Sequence, residues 1–222
     1  MKKRFFGLHF ILILTLLLSL PFLVHAKRPM TPEDLYKIKR VSDPQISPDG
    51  KWIAYTVSVP NLKENNFDSD IWIIPITGGE PKKLTNTPGA DYAPRWSPDG
   101  KKITFISTRD GVANLYIIRI DGGEARKLTS SKAALYSPIW SSNGRYIICG
   151  SRVLPEGKKE VENWTKNELP KCEARTINHL LFRQWNRWLG DERNHIFLVD
   201  SVTGIMKDIT PGDYDVPPVS LS

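Results

Sequence analysis

The sequence predicts an all-β fold in which four-stranded sheets stack around a common axis, and three observations predict it. A turn motif recurs: Trp96-Ser97-Pro98-Asp99-Gly100 is echoed by Ile46-Ser47-Pro48-Asp49-Gly50 before it and Trp140-Ser141-Ser142-Asn143-Gly144 after it. Each turn leads into two β-type runs, 52–59 and 70–76, 103–107 and 114–120, 146–151 and 195–200. The period is constant, since Asp70 to Asn114, Gly78 to Gly122 and Leu84 to Leu128 are each 44 positions apart. Four short strands in about 40 to 45 residues make one blade of a β-propeller. The predicted architecture is an incomplete β-propeller of about three four-stranded blades plus the start of a fourth, preceded by a signal peptide and a short helix.

The elements follow in chain order. Lys2, Lys3 and Arg4 precede an apolar run over 5–24, Pro21 interrupts it, and Val24-His25-Ala26 is a small-residue cleavage site. Residues 1–26 therefore read as an export signal, which places the chain in the periplasm or outside the cell. The alternative is an uncleaved membrane anchor, because 20 largely apolar residues suffice to span a bilayer. Residues 27–42 form a lead-in. In Thr31-Pro32-Glu33-Asp34-Leu35, an N-cap threonine, a first-position proline and first-turn acids predict a helix of about two turns.

Residues 43–222 carry the blades. In Ser-Pro-Asp-Gly the proline presets φ, the aspartate bonds its own backbone and the glycine takes the positive φ that reverses the strand. The tryptophan in front of the motif reads as packing between neighbouring blades. Short final strands follow the paired glycines, ending in Leu84-Thr85 and Leu128-Thr129, with Ile209-Thr210 as a looser third copy. The third repeat carries an insertion at 152–190. Within it Phe182, Arg183, Trp185, Arg187 and Trp188 interleave aromatic rings with guanidinium groups, a composition typical of contact surfaces, although the same residues also suit a cover over the blade. Beyond the third repeat, Tyr214-Asp215-Val216-Pro217-Pro218-Val219-Ser220 resembles the openings of the second and third blades, so a fourth begins.

Charge and residue inventory exclude several functions. Net charge is +7, and it falls to +4 once Lys2, Lys3 and Arg4 leave with the signal; the remaining basic residues are scattered, which argues against nucleic acid as a partner. Cys149 and Cys172 are the only cysteines; they are either a buried strand thiol and an unrelated loop thiol or, in an oxidising compartment, a disulfide. No zinc spacing surrounds them. Asp68 and Asp70 flank Ser69 on a predicted loop, too few acids for a calcium loop. No Gly-x-Ser-x-Gly elbow occurs, since Val153 stands where Ser151 would need its second glycine, and His179 and His195 read as ordinary polar residues. No catalytic, cofactor-binding or metal residue is assigned, and no cofactor is expected. Asn163-Trp164-Thr165 is a glycosylation acceptor only in a eukaryotic source.

The ordered set of signal segment, Met30-Thr31-Pro32-Glu33-Asp34-Leu35, Val41-Ser42-Asp43-Pro44-Gln45-Ile46-Ser47-Pro48-Asp49-Gly50-Lys51-Trp52, and repeated Trp-Ser-Pro-Asp-Gly blades resembles exported serine peptidases of the prolyl oligopeptidase family. Its look is that of the acylaminoacyl-peptidase and dipeptidyl-peptidase V types. The stretches Phe182-Arg183-Gln184-Trp185, Asn194-His195-Ile196-Phe197-Leu198-Val199-Asp200 and Ile209-Thr210-Pro211-Gly212-Asp213-Tyr214-Asp215 carry the same resemblance. The resemblance implies a propeller that restricts peptide access to a C-terminal α/β-hydrolase domain bearing Ser, Asp and His. No residue here matches that triad. The expectation is a non-catalytic propeller portion, partnered by peptides in the parent enzyme, by a separate hydrolase domain, or by further copies through open propeller edges. The alternative is a periplasmic scaffold resembling the propeller protein of the Tol-Pal system.

Overall fold

A computed structural model describes residues 28–156 and 191–216, and the backbone of 182–184 and 187–189. The signal segment, Asn163-Trp164-Thr165, Cys172, His179, Trp185 and the opening of a fourth blade from Pro217 onward lie outside the described residues. The chain divides at Leu35 into two units.

In the first unit the helix α1 (Pro32–Leu35) is a single turn, shorter than the two turns expected. The Asp34 carboxylate accepts from the Thr31 amide at 3.0 Å and from Arg28 at 2.6 Å. That loop back onto the cap satisfies the Thr31 amide as a capping box does; why the helix stops after one turn has no explanation in the structure.

The second unit holds three antiparallel four-stranded sheets. The first is β1 (Arg40–Ile46), β2 (Trp52–Asn61), β3 (Asn66–Pro75) and β4 (Lys82–Lys83), in that order. The second is β5 (Asp91–Trp96), β6 (Lys102–Ser107), β7 (Asn114–Arg119) and β8 (Arg126–Lys127). The third is β9 (Leu135–Trp140) and β10 (Tyr146–Val153), then, past a hairpin of β11 (Phe182–Gln184) and β12 (Arg187–Leu189), β13 (Arg193–Asp200) and β14 (Met206–Asp208). The all-β architecture of three four-stranded sheets is as expected, with the first sheet starting at Arg40 inside the predicted lead-in. Arg152 and Val153 still pair with Asn194 and Arg193, so the ladder runs two residues into the segment assigned to the insertion.

The turns behave as their residues dictate. Ser97 Oγ donates to the Asp99 carboxylate at 2.6 Å and accepts from the Lys102 amide at 3.0 Å, while Gly100 sits at φ +67°. The same bonds recur at Ser47 and Ser141, with Asn143 replacing the aspartate. A residue with a Cβ at such a φ is strained by about 1–2 kcal/mol. Each sheet is closed at its outer side by a threonine: Thr85, Thr129 and Thr210 accept from the amides of Ile71, Leu115 and Ile196 at 3.0, 3.0 and 2.9 Å.

Each innermost strand also carries a bulge that the repeat alone does not announce. Asp43, Ala93 and Ser137 adopt φ near +50°, each followed by a proline, and the register slips at the same place in all three sheets. Pro44, Pro94 and Pro138 need no ladder acceptor for an amide, so the extra residue is accommodated where a proline already breaks the ladder.

Packing between sheets makes the core. Ala54, Ile71 and Ile73 of the first sheet meet Trp96, Ile103, Phe105, Tyr116 and Ile118 of the second. On the other side of the second sheet, Ile106, Leu115 and Leu128 meet Leu135, Ile147, Cys149 and Val199 of the third. Full burial of one such side chain stabilises by about 1.5–3 kcal/mol. Polar links repeat at both junctions. The Trp96 indole donates to the Gln45 carbonyl at 2.8 Å and the Trp140 indole to the Arg95 carbonyl at 3.2 Å. At the rim, Lys82 donates to the Asp121 carbonyl at 3.1 Å, and Arg126 to the Val202 carbonyl at 3.4 Å.

Substituting Trp96 tests this account. Trp96→Phe removes the indole donor and is expected to cost about 1 kcal/mol, and Trp96→Ala about 3–5 kcal/mol by opening the junction. Urea unfolding followed by circular dichroism measures both; equal, small losses would show that the junction does not depend on this residue.

Candidate functional site

Four of the five residues named as a contact surface converge in one element. The β11–β12 hairpin pairs Phe182 with Leu189, Arg183 with Trp188, and Gln184 with Arg187, so Phe182, Arg183, Arg187 and Trp188 share six backbone positions of a tight antiparallel ladder. The insertion was legible as aromatic and basic; that it contains a hairpin was not, because three-residue strands lie below the length at which alternation can be recognised.

The innermost strand β5 touches β1 on one side and β9 on the other, and a polar staple joins the first two sheets. Asp43 receives Arg95 at 2.7 Å on one oxygen and Gln45 at 2.7 Å on the other, and Arg95 also donates to the Pro94 carbonyl. Both carboxylate oxygens are thus engaged within the protein. The pair is about one-third exposed, which limits its worth to about 0.2–1 kcal/mol.

A more deeply set ion pair lies beside the start of β5. Asp91, 1% exposed, receives Arg109 at 2.9 Å, and Thr87 at 3.4 Å on the same oxygen. Its other oxygen is buried without a hydrogen-bond partner. Arg109 donates also to Ser107 and lies 4.5 Å from the centre of the Tyr116 ring. Burial, and then a hydrogen bond to Asp110, push the Tyr116 hydroxyl up to about 12. Asp110 itself is held below the usual carboxylate range by Lys127 first and Tyr116 second.

Asp68 and Asp70, expected on a loop, lie inside β3. Asp70 pairs with Lys83 at 2.7 Å and Asp68 accepts from Asn61 at 2.9 Å, so both carboxylates bind strand neighbours. Asp70, Asn114 and His195 occupy equivalent register positions on the third strand of each sheet, opposite Val57, Ser107 and Ser151, and each ties that strand to its surroundings. His195, 2% exposed, contacts Asp208 through Nδ1 at 2.6 Å and the Gly212 carbonyl through Nε2 at 2.9 Å. Its cross-strand neighbour Ser151 donates to the Ala134 carbonyl at 3.1 Å. A serine, an imidazole and a carboxylate therefore adjoin one another, yet the ring nitrogen that would activate the serine faces a backbone carbonyl instead. His195 fastens the 208–212 segment to β13, and Ser151 ties β10 to Ala134.

Cys149 is a free thiol in the core between the second and third sheets, and burial pushes it up to about 12. Among the described residues no group of three metal-ligating side chains gathers, and no helix is long and apolar enough to cross a membrane.

Comparison with known proteins follows this geometry. Residues 36–167 match the family PD40, described as the TolB beta propeller domain. Dipeptidyl-peptidase 5 of Porphyromonas gingivalis is 35% identical over 192 residues, covering 85% of this chain and 28% of that protein. Among solved structures, Pyrococcus horikoshii acylaminoacyl peptidase superposes with a TM-score of 0.57 at 19% identity, over 80% of this chain and 26% of that one. A structure described as putative TolB from Agrobacterium tumefaciens superposes with a TM-score of 0.51 at 22% identity, over 78% of this chain and 49% of that one. At these identities the structural likenesses show the fold. The chain spans little more than a quarter of the length of the Porphyromonas relative.

Two outcomes test the buried groups. Arg109→Met leaves the Asp91 carboxylate buried without its cation and is expected to cost about 3–5 kcal/mol in urea unfolding, with Arg109→Met/Asp91→Leu recovering much of the loss. Cys149 is expected to resist thiol reagents until the chain unfolds. The native thiol keeps its proton up to about 12, whereas an unfolded one releases it near its ordinary 9. The unfolded state thus binds fewer protons in that window, and stability falls as pH rises through it. Cys149→Ala should remove this part of the alkaline slope, as unfolding measured from pH 8 to 11 will show.

Proposed function

The chain belongs to the TolB β-propeller domain family, and on that premise we propose that it is the N-terminal, non-catalytic propeller portion of an exported serine peptidase of the prolyl oligopeptidase family. The observation that carries this reading is the 35% identity to dipeptidyl-peptidase 5 over 85% of the chain. In this reading the stacked sheets admit short peptides and exclude folded protein, and hydrolysis belongs to an α/β-hydrolase domain outside these 222 residues. The buried, fully bonded surroundings of His195 and Ser151 support assigning the chemistry elsewhere. Residues 1–26 act as the export signal, which delivers the protein to the periplasm or the exterior. Phe182, Arg183, Trp185, Arg187 and Trp188 form a contact surface toward the hydrolase domain or the peptide path.

The purified chain alone is expected to release no arylamine from dipeptidyl or acylaminoacyl arylamides. A chimera carrying residues 36–216 in place of the matching stretch of the Porphyromonas enzyme should hydrolyse dipeptidyl arylamides and spare a folded protein substrate. Turnover by the chain alone, or a folded chimera that degrades folded protein as readily as short peptide, would overturn the proposal. N-terminal sequencing of the exported product should begin at Lys27; a product beginning at Met1 and retained in the membrane would establish the anchor instead.

A further inference from the structure

The two junctions between sheets are built on one plan, and the repeat allows them to be compared position by position. On the face that the first sheet turns to the second, the cross-strand rows run Gln45-Ala54-Ile73, Ser42-Thr56-Ile71 and Arg40-Ser58-Ser69. The second sheet answers with Trp96-Ile103-Ile118, Phe105-Tyr116 and Asp91-Ser107-Asn114. The Trp96 indole on the Gln45 carbonyl fixes one end of this pairing, and a parallel bridge between Ser69 and Ala90 fixes the other. Thr56 lies between these anchors, on the side of the Phe105 and Tyr116 rings, against which the Arg109 guanidinium rests at 5.7 and 4.5 Å from the ring centres.

At the second junction the two equivalent positions are apolar. Ile106 stands where Thr56 does, between Tyr92 and Leu115 as Thr56 is between Ser42 and Ile71. Leu135 stands where Asp91 does, opposite Ser151 as Asp91 is opposite Ser107. Ile106 and Leu135 are fully buried members of one packed cluster. By the repeat, Thr56 and Asp91 are neighbours across the first junction, and a hydroxyl and a carboxylate there replace a contact between two hydrocarbon side chains. Thr56 also lacks the terminal methyl that Ile106 adds to its own junction. Thr56 is 2% exposed, and its Oγ1 and the Asp91 Oδ1 are both buried without a hydrogen-bond partner, so the two atoms do not bond each other. Each would carry the full desolvation penalty of an unmatched polar group.

We infer that a buried water molecule is bound at the first junction and bridges Thr56 Oγ1 to Asp91 Oδ1. A buried water needs at least about two polar partners, and these supply them. It donates one O–H to the carboxylate oxygen, which accepts, and shares its second hydrogen bond with a hydroxyl that can donate or accept. The other carboxylate oxygen already holds Arg109 and Thr87, so charge is matched within the protein and the position calls for a small neutral ligand. The site lies wholly between two sheets of this chain and stands apart from the peptidase reading.

A third unmatched hydroxyl supplies the control. Thr104 Oγ1, on the face turned to the third sheet, is also buried without a partner, and among the described residues no second unmatched side-chain oxygen shares its junction. Thr56→Val keeps the shape and removes one of the water's partners; it is expected to raise the unfolding equilibrium constant by roughly three- to tenfold in urea unfolding. Thr104→Val only relieves an unmatched hydroxyl and should leave that constant unchanged or lower it. A crystal structure of the parent chain that resolves ordered solvent should place a water within hydrogen-bonding distance of both Thr56 Oγ1 and Asp91 Oδ1. A direct bond between these two side chains, a junction without solvent between them, or a Thr56→Val loss no greater than that of Thr104→Val overturns the inference.

Discussion

Two indole N–H groups reach out of their own sheets: Trp96 to the Gln45 carbonyl and Trp140 to the Arg95 carbonyl. Each tryptophan ends the innermost strand of one sheet, and each acceptor is the residue one place earlier in the equivalent strand of the sheet before. The bond fixes one sheet against the next at a defined height along the axis. The rest of the packing follows from it, because a slip of one residue would move Ile103 or Ile147 off the apolar rows they face and turn the alternate side chains inward. The bulges at Asp43, Ala93 and Ser137 belong to the same constraint. At Asp43 and Ala93 they bend the strand just before the acceptor carbonyl, where the indole bond joins the ladder in holding the left-handed backbone, and at Ser137 the ladder holds it.

Stability is accordingly local and repeated. Every sheet is closed by its own threonine hydroxyl and its own Ser-Pro-Asp-Gly or Ser-Ser-Asn-Gly turn, and neighbours add an apolar layer, an indole bond and one cation-to-carbonyl contact at the rim. This is the nearest-neighbour arrangement expected of repeated units. It also explains how polar residues sit inside without disrupting the core. Asp70, Asn114 and His195 differ in chemistry but share one task, tying the third strand to the segment that follows the fourth.

Most of the fold was legible because its signals are covalent and periodic. The 44-residue spacing, the turn chemistry and the Leu-Thr pairs locate the strands to within a few residues, and the tryptophans were rightly read as packing between sheets. The bulges were written in Pro44, Pro94 and Pro138, which recur at one offset before each turn, but a proline in a strand signals a broken ladder without saying which residue turns left-handed. Asp68 and Asp70 looked like a loop because two acids flank a serine; the pairing of Asp70 with Lys83 and of Asp68 with Asn61, set by register, made that stretch strand. Helix α1 was overestimated because capping residues mark where a helix starts and not how far it runs. The Asp91–Arg109 pair had no sequence signature, as its members lie 18 positions apart and meet only because β5 pairs with β6, Asp91 opposite Ser107.

The outermost strands are two or three residues long and rich in cations: Lys82-Lys83, Arg126-Lys127 and Met206-Lys207-Asp208. So short a fringe offers an intruding polypeptide too few consecutive hydrogen-bonding sites to template growth, and its ammonium and guanidinium groups repel another fringe of the same kind. Amyloid-type elongation is thereby discouraged along the perimeter. Contacts of this protein with others are thereby steered away from strand-by-strand addition at that fringe.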